Sequence, residues 1–154
     1  MKSKILMVCL GNICRSPLAE GILQSKLDSE LFQVDSCGTS SYHIGEKPDP
    51  RSIQIAQKYG IDITKQRAAQ FTTSCFDQYD HIYAMDRSNY QNIIQLARNQ
   101  KDINKVSLIL EEIQPNSNLE VPDPYYVGDQ GFEDVFTMLN DASEHIALKL
   151  NPLL

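Results

Sequence analysis

The chain has 154 residues, a formal net charge of −6, 42% hydrophobic residues and 22% charged residues. This length supports one domain with a single core, and we expect residues 1–154 to form that domain. An acidic chain lacks the basic face of most nucleic-acid binders, so we predict no nucleic-acid partner. Four cysteines in a chain of this size indicate reduced thiols in the cytoplasm rather than a disulfide framework.

An apolar run, KILMVC, occupies residues 4–9 near the start of the chain. A stretch of this kind is typical of a strand that is covered on both faces of a parallel sheet. The run is too short for a membrane span or a signal sequence, and no small-residue cleavage site follows it. We therefore predict a buried first strand, no membrane insertion and a cytoplasmic location.

Strands and helices alternate along the rest of the chain. The apolar patterns predict strands at residues 4–9, 31–36, 81–85 and 106–110. Helices are predicted to begin at Ser16-Pro17, Asp49-Pro50 and Asp86, where N-cap residues precede helical spacing, and the last helix to begin at about Phe132. The alternation predicts the α/β class: a single three-layer domain whose four-stranded, parallel, twisted sheet carries helices on both faces.

The stretch VCLGNICRSP, residues 8–17, lies between the first strand and the first helix. Ligands of open α/β sheets bind beyond the carboxyl ends of the strands, which is where this stretch lies. Zinc is disfavoured because Cys9 and Cys14 have no second close Cys/His pair, and a Walker A loop would need a lysine. A plain turn would not explain Arg15, whose charge opposes the dipole at the start of a helix.

A phosphate-binding loop explains Arg15. Helix amino termini and successive backbone amides bind anions, and a guanidinium adds a planar fork for two phosphate oxygens. Cys9 would then lie at the bottom of an electropositive bowl, and such surroundings favour the reactive thiolate form of a cysteine. The sequence therefore predicts a phosphate-binding loop after the first strand, with a nucleophile beneath the bound phosphorus atom.

The stretch VCLGNICRSPLAE, residues 8–20, resembles the phosphate-binding loop of the low-molecular-weight protein tyrosine phosphatases. The resemblance continues through residues 35–52, 82–89 and 121–126. It implies hydrolysis of phosphotyrosine and small aryl phosphates through a phosphocysteine intermediate, without metal or cofactor. It also implies a role for three residues: Cys9 is the nucleophile, Arg15 the phosphate clamp, and Asp123 the general acid and then the general base.

The resemblance assigns further residues to the site. The phosphate would be bound by residues 10–15, which are Leu10, Gly11, Asn12, Ile13, Cys14 and Arg15. The loop would be supported by hydrogen bonds from Asn12, Ser16 and Ser36. The substrate pocket would be formed by Ile13, Tyr42, Tyr125 and Tyr126, a slot for a flat ring that leaves the shorter phosphoserine unable to reach the bottom.

Four positions carry separate expectations. Gln66 and Ala69 stand where many family members have histidine and arginine, and we expect Gln66 to hydrogen-bond toward the loop-supporting serine. Asp86 matches a family position near the site and is equally well placed to cap a helix. Cys14 is close enough in sequence to Cys9 for peroxide to couple the two thiols in a reversible, protective disulfide.

Other functions remain open on the same fold. An arsenate reductase needs extra relay cysteines near residues 75–90, where only Cys75 lies, and a protein-arginine phosphatase tends to have threonine at the position of Ile13. A phosphopeptide-binding module without activity would not need both Cys9 and Asp123. The expected partners are phosphotyrosine-containing proteins or peptides, with phosphate or vanadate as ligands, and the expected state is a monomer or weak dimer.

Overall fold

The computed structural model of the chain describes residues 2–126 and 128–151, without the side chain of Tyr126. Its sheet has four parallel strands: β1 (Ser3–Cys9), β2 (Phe32–Gly38), β3 (His81–Ala84) and β4 (Val106–Leu108). They lie in the order β2-β1-β3-β4, so that β1 is a central strand. The predicted α/β class and parallel four-stranded sheet are confirmed.

Six α-helices surround the sheet in the described part of the chain. They are α1 (Arg15–Lys26), α2 (Pro50–Lys58), α3 (Cys75–Gln78), α4 (Arg87–Ile94), α5 (Gln100–Asn104) and α6 (Gly128–Leu150). Two short 3-10 helices, Ile109–Glu112 and Pro124–Tyr126, follow β4 and precede α6. Among these described helices, none combines the length and the apolar character that crossing a bilayer requires.

The two faces of the sheet are covered by different cores. Ile5 and Met7 of β1 point toward α1, α2 and α6, whereas Leu6 and Val8 point toward the opposite core, which includes α3 and α4. This alternation follows from the two-residue period of a strand, and it buries both faces of β1. The expected three layers, helix on sheet on helix, are confirmed.

Two helix starts match their predicted caps. The side chain of Asp49 accepts a hydrogen bond from the Arg51 amide, and Pro50 occupies the first position of α2. Asp86 accepts a hydrogen bond from the Asn89 amide at the start of α4. Both caps depend on residues close in sequence, which is why the pattern predicted them.

Several predicted boundaries were wrong, including the end of β2, which was expected at residue 36 and lies at Gly38. Helix α1 begins at Arg15 rather than after Ser16, because the loop before it already turns into helical geometry at Cys14. Strand β4 was expected to end at residue 110 but ends at Leu108, where a 3-10 helix begins. This helix buries the consecutive residues Ile109 and Leu110 in the same core, whereas successive side chains of a strand point to opposite faces. Helix α6 begins at Gly128, ahead of the apolar stripe that starts at Phe132.

Candidate active site

The loop of residues 10–14 connects the carboxyl end of β1 to the first residue of α1. Asn12, at the middle of this loop, has φ of 57°, a left-handed conformation that asparagine tolerates better than most residues. The end of β2 presses against the loop, since a Cβ on Gly38 would lie 2.6 Å from the Leu10 carbonyl oxygen. A glycine at position 38 therefore lets the loop fold back over the sheet.

Asn12 is anchored by its side chain on three sides. Its Nδ2 donates to Ser16 Oγ at 2.8 Å and to Ser36 Oγ at 2.9 Å. Its Oδ1 accepts from the backbone amide of Ala69 at 3.0 Å. These bonds offset the cost of the left-handed backbone and bring together Asn12, Ser16 and Ser36, the three residues expected to support the loop.

Cys9 lies at the floor of the loop, where it is 3% exposed. Its Sγ is 2.9 Å from Ser16 Oγ and accepts a hydrogen bond from the Asn12 amide at 3.3 Å. These two contacts fix the Cys9 sulfur beneath the centre of the loop.

The backbone amides around Cys9 are available to an anion. Within the described part of the chain, the amides of Gly11, Ile13 and Cys14 have no hydrogen-bond acceptor. They stand at the amino end of α1, whose dipole favours negative charge. The loop therefore has the features of a phosphate site: successive free N–H groups at a helix start.

Arg15 is buried at the edge of this loop, with 3% of its side chain exposed. Its Nη1 donates to Asp86 Oδ2 at 2.6 Å and to the Val121 carbonyl at 3.0 Å. Although burial acts to lower it, the pKa of Arg15 is raised above its ordinary value by Cys9 and by the Asp86 carboxylate. Both hydrogens of Nη1 are donated to these two acceptors. A bidentate contact with an anion would therefore be made by Nε and Nη2.

Asp123 lies on the open side of the site. Its Oδ2 is 3.9 Å from Arg15 Nη2, and its side chain is 42% exposed. Its Oδ1 accepts the Tyr125 amide at 3.0 Å, which fixes the carboxyl against the Pro124–Tyr126 turn. The carboxyl is thus held near the arginine while it remains open to solvent and to a leaving group.

These side chains surround one cavity of about 310 Å³. Its walls are formed by Cys9, Leu10, Gly11, Ile13, Cys14, Arg15, Ser40, Tyr42, His43, Asp123 and Tyr125. Most of the predicted site residues therefore meet in one place, with Asn12, Ser16 and Ser36 behind the wall. Tyr42 stands at the mouth, 79% exposed, and the predicted pocket residue Tyr126 has a side chain outside the described part of the structure.

Sequence reasoning did not identify Arg51, which lies behind the wall and contacts Tyr125. Its guanidinium carbon lies 5.3 Å from the ring centroid of Tyr125 and 4.6 Å from that of Phe132, while its side chain pairs with Asp49. The Asp49 amide also donates to the Ile13 carbonyl at 2.7 Å. In the sequence, Arg51 lies in the segment PDPRS, which was interpreted as a helix cap. That interpretation gave no indication that Arg51 also contacts Tyr125.

Cys14 differs from Cys9 although both belong to one loop. Burial, and then the charge of Asp49, raise the pKa of Cys14 to about 12. Its thiol therefore stays protonated at neutral pH, and no described residue activates it. The two cysteines also differ in their contacts: among the described residues, the Cys9 sulfur accepts the Asn12 amide and contacts Ser16 Oγ, and no such contact is made by the Cys14 sulfur.

The expectation for Gln66 was wrong in its partner. Gln66 Nε2 donates to the Pro17 carbonyl at 3.1 Å rather than to Ser16 or Ser36, the serines that support the loop. Ser36 instead donates to Glu20 Oε1 at 2.7 Å. Glu20 was not predicted, since its position on α1 alone does not show that it faces β2.

Known proteins resemble this chain over nearly its whole length. The family described as low molecular weight phosphotyrosine protein phosphatase matches residues 4–152. A low molecular weight phosphotyrosine protein phosphatase of Schizosaccharomyces pombe is 42% identical over 147 residues, which are 92% of this chain and 93% of that protein. The human protein of the same description is 37% identical over 136 residues, covering 86% and 85% of the two chains.

Solved structures share the fold. A protein tyrosine phosphatase from Entamoeba histolytica with Hepes in its active site superposes with a TM-score of 0.91 at 35% identity, covering 98% of both chains. Wzb of Vibrio vulnificus in complex with benzylphosphonate gives a TM-score of 0.85 at 30% identity, covering 97% of this chain and 99% of Wzb. With this agreement in sequence and in fold, the chain belongs to the low molecular weight phosphotyrosine protein phosphatases, a family of hydrolases.

Proposed function

We propose that this protein removes phosphate from phosphotyrosine in protein or peptide substrates by way of a phosphocysteine. One observation carries the proposal: the Cys9 sulfur lies beneath a ring of free amides, with Arg15 and Asp123 on the walls of the same cavity. The names of the relatives, phosphotyrosine protein phosphatases, give independent support for the substrate class.

In the first step, the Cys9 thiolate attacks the phosphorus atom of the bound monoester. The loop amides and the free prongs of Arg15 bind the phosphoryl oxygens and stabilise their charge. As the new S–P bond forms, the bond from phosphorus to the phenolic oxygen breaks, and Asp123 donates its proton to that oxygen. A positioned acid of this kind contributes about 10²–10⁴-fold to the rate.

In the second step, water replaces the departed tyrosine at the mouth of the cavity. Asp123, now a carboxylate, accepts a proton from this water while the water oxygen attacks phosphorus. The S–P bond breaks, inorganic phosphate is released, and Cys9 returns to the thiolate. Ser16 Oγ, 2.9 Å from the sulfur, stabilises Cys9 as a leaving group in this step.

The cavity walls favour an aromatic monoester. Ile13, Tyr42 and Tyr125 flank the opening, and Arg51 supports the ring of Tyr125 from behind. Apolar and aromatic walls bind a flat phenyl ring, whereas a phosphoserine side chain is too short to place its phosphate on the Cys9 floor. Peptides with phosphotyrosine, phosphoserine and phosphoarginine, assayed together, test this preference directly.

The decisive test uses an aryl phosphate and the variant Cys9→Ser. We expect turnover to fall on the order of 10⁴-fold or more, because no other described thiol reaches the cavity floor as an activated nucleophile. Cys75→Ser is the matched control, since Cys75 is a buried thiol in α3 away from the cavity, and it should keep its turnover. Vanadate should inhibit both the wild type and the control. Substantial turnover by Cys9→Ser would refute the mechanism.

Cys14 supports a proposal of its own, protection of Cys9 from overoxidation. Peroxide would convert the Cys9 thiolate to a sulfenic acid and release hydroxide. The Cys14 sulfur would then attack the Cys9 sulfur slowly, because its pKa is raised to about 12, and its proton would pass to the departing hydroxyl group, so that a disulfide forms and water is released. Mass spectrometry after mild peroxide treatment should find the Cys9–Cys14 link, and dithiothreitol should restore activity. Cys9 recovered as sulfonic acid without that link would contradict the proposal.

The setting of the enzyme is proposed on more general grounds. A single domain of residues 1–154 acting in the cytoplasm, as a monomer or weak dimer, agrees with the four free thiols of the described chain and with its acidic charge. Inorganic phosphate or vanadate would compete with the substrate at the loop.

A further inference from the structure

Glu20 is a half-buried carboxylate on α1 that faces β2 rather than solvent. In the described part of the chain it has no ion-pair partner within 4.0 Å, and its one hydrogen-bond donor is Ser36. The charged groups around it are Asp35 on β2, and Asp62 and Lys65, which line the adjoining cavity from the segment after α2. Its negative charge is therefore not neutralised by a neighbouring cation.

A continuous chain of hydrogen bonds joins Glu20 to Cys9. Ser36 Oγ donates to Glu20 Oε1 at 2.7 Å, and Asn12 Nδ2 donates to Ser36 Oγ at 2.9 Å. Asn12 Nδ2 also donates to Ser16 Oγ at 2.8 Å, and Ser16 Oγ lies 2.9 Å from Cys9 Sγ. The two loop-supporting serines are thus linked through the amide of one asparagine.

The direction of these bonds follows from the inventory of donors. The Asn12 amide nitrogen has two hydrogens and gives one to each serine. Each serine hydroxyl then has one hydrogen left: Ser36 directs it at the Glu20 carboxylate, and Ser16 can direct its own at the Cys9 sulfur. The chain of hydrogen bonds therefore runs from the Glu20 carboxylate at one end to the Cys9 sulfur at the other, although Ser16 Oγ also lies 3.4 Å from the Cys37 carbonyl oxygen.

We propose that Glu20 is a positioning residue for the phosphatase reaction: its carboxylate, acting through Ser36 and Asn12, holds the phosphate loop in its active arrangement, and protonation of Glu20 releases that hold. The inference rests on the proposed function, since it concerns the loop that would bind the phosphate. Glu20 itself touches neither the Cys9 sulfur nor the cavity.

Protonation has a specific consequence for Ser36. With the proton on Oε2, the remaining carbonyl accepts the Ser36 hydrogen more weakly than the carboxylate does. With the proton on Oε1, the oxygen that faces Ser36, Glu20 donates to Ser36 Oγ instead of accepting from it, so the serine oxygen receives two hydrogens. The hydrogen of Ser36 then has no other acceptor among the described residues. An unsatisfied polar group of this kind is costly, so the Ser36 contact with Asn12 weakens and the left-handed Asn12 loses one of its anchors.

This protonation falls within the working range of an enzyme. Burial raises the pKa of Glu20 to about 7, the Ser36 hydrogen bond opposes the rise, and Asp35 adds to it. Gln66, which stands where many relatives have histidine, lines the same cavity but is uncharged. Lys65 also lines this cavity, but among the described residues it forms no ion pair with Glu20 that would hold the carboxylate ionised below neutral pH.

The test compares the pH profiles of kcat/KM for the wild type and Glu20→Gln on an aryl phosphate. Glutamine still accepts from Ser36 but does not titrate. Dividing one profile by the other removes the pH dependence that the two proteins share, including that of the substrate. We expect the ratio of wild type to variant to fall about three- to tenfold from pH 8 to pH 5.5, with its midpoint near 7.

Two further variants separate this role from a general effect on folding. Glu30→Gln removes an exposed carboxylate from the segment before β2 and should give a profile parallel to the wild type. Ser36→Ala breaks the chain, so Glu20→Gln added to it should change the profile no further. If Glu20→Gln does not fold, Ser36→Ala is compared with the wild type instead. In that case we expect kcat/KM of Ser36→Ala to fall less steeply than that of the wild type between pH 7 and pH 5.5.

The outcomes also distinguish this inference from the proposed function. A ratio that is constant from pH 5.5 to 8, with normal turnover, would overturn the role of Glu20 and leave the phosphatase intact. If the wild type hydrolysed no phosphate ester, the same ratio is measured on Cys9 alkylation by iodoacetate, quantified by mass spectrometry. A step near pH 7 in that ratio would support the linkage, and a flat ratio would refute it.

Discussion

The floor and the rim of the cavity are built in opposite ways. The floor, formed by Cys9, Asn12 and Ser16, is buried and joined by hydrogen bonds to β1, α1 and β2. The rim, formed by Tyr42, Asp123 and Tyr125, is exposed and stands on connecting segments. The floor fixes where the phosphorus atom can sit, and the rim decides which ester reaches it, so changes to the two should affect different kinetic parameters.

At the rim, the largest effect is expected at Asp123, the residue proposed as the general acid. Asp123→Ala should lower kcat on phosphotyrosine about 10²–10⁴-fold, because the phenolate then leaves without a proton. The loss should be smaller on 4-nitrophenyl phosphate, whose leaving group needs less protonation. Steady-state kinetics with both substrates measures the difference.

Asp129→Ala is the control for this prediction, because Asp129 is an exposed carboxylate at the start of α6. It should leave kcat on both substrates unchanged. An unchanged kcat for Asp123→Ala on phosphotyrosine would remove Asp123 from the mechanism.

A smaller loss, in both stability and activity, is expected at Gly38, which packs against the loop. Gly38→Ala places a Cβ 2.6 Å from the Leu10 carbonyl oxygen, so the loop must shift. We expect the free energy of unfolding to fall by about 1–3 kcal/mol and kcat/KM to fall with it. Urea unfolding and steady-state kinetics measure the two losses.

Gly60→Ala separates stability from activity. Gly60 has φ of +79° with nothing within 4 Å of its Cβ position, so alanine costs about 1 kcal/mol of strain there without touching the site. This variant should lose stability and keep its kcat/KM. Equal losses of kcat/KM in Gly38→Ala and Gly60→Ala would contradict the prediction that a shift of the loop lowers activity more than a loss of stability elsewhere does.

The charge behind the floor should make stability depend on pH. The folded protein binds the Glu20 proton more tightly than the unfolded chain does, since its pKa rises from 4.5 to about 7. The stability that Glu20 contributes is therefore complete below pH 4.5 and is lost as the pH rises to 7. Relative to Glu20→Gln, the wild type should lose about 1–2 kcal/mol over this range, as measured by Tm.

Glu30→Gln again serves as the control, and its Tm should follow that of the wild type at every pH. A constant Tm difference between the wild type and Glu20→Gln from pH 4.5 to 8 would contradict the raised pKa.

The smallest effect is expected at the outermost part of the rim. Tyr42→Ala should raise KM for a phosphotyrosine peptide several-fold, about 1 kcal/mol, with little change in kcat or stability, since the side chain is 79% exposed. Leu31→Ala, another exposed apolar residue remote from the cavity, should leave KM unchanged. A large fall in kcat for Tyr42→Ala would contradict the expectation that Tyr42 acts in substrate binding alone.

Much of the fold could be predicted because its signals are local. The strand KILMVC and the caps at Asp49 and Asp86 depend on neighbouring residues, and all three are present in the structure. The end of β4 could not be predicted, because it depends on the burial of both Ile109 and Leu110 in the same core, and that burial is determined by tertiary packing.

In the candidate site too, the features set by neighbouring residues could be predicted, and those set by packing could not. Cys9 and Arg15 belong to one short loop and could be found from the sequence, whereas the ion pair of Arg15 with Asp86 spans 71 positions. The contact of Ser36 with Glu20 joins a strand to a helix, and it depends on the rotation of α1 about its axis. Such contacts are set by packing, and no spacing in the sequence indicates them.

The double anchoring of Arg15 has a thermodynamic consequence. A free arginine side chain loses rotamer entropy when it grips an anion, a cost of about 0.5–1.5 kcal/mol. In this protein, Asp86 and the Val121 carbonyl already hold the guanidinium in one orientation, so that entropy is lost during folding rather than at binding. Calorimetry of phosphate binding should accordingly show a favourable enthalpy with little entropic penalty from the arginine, and Asp86→Ala should make the binding entropy less favourable.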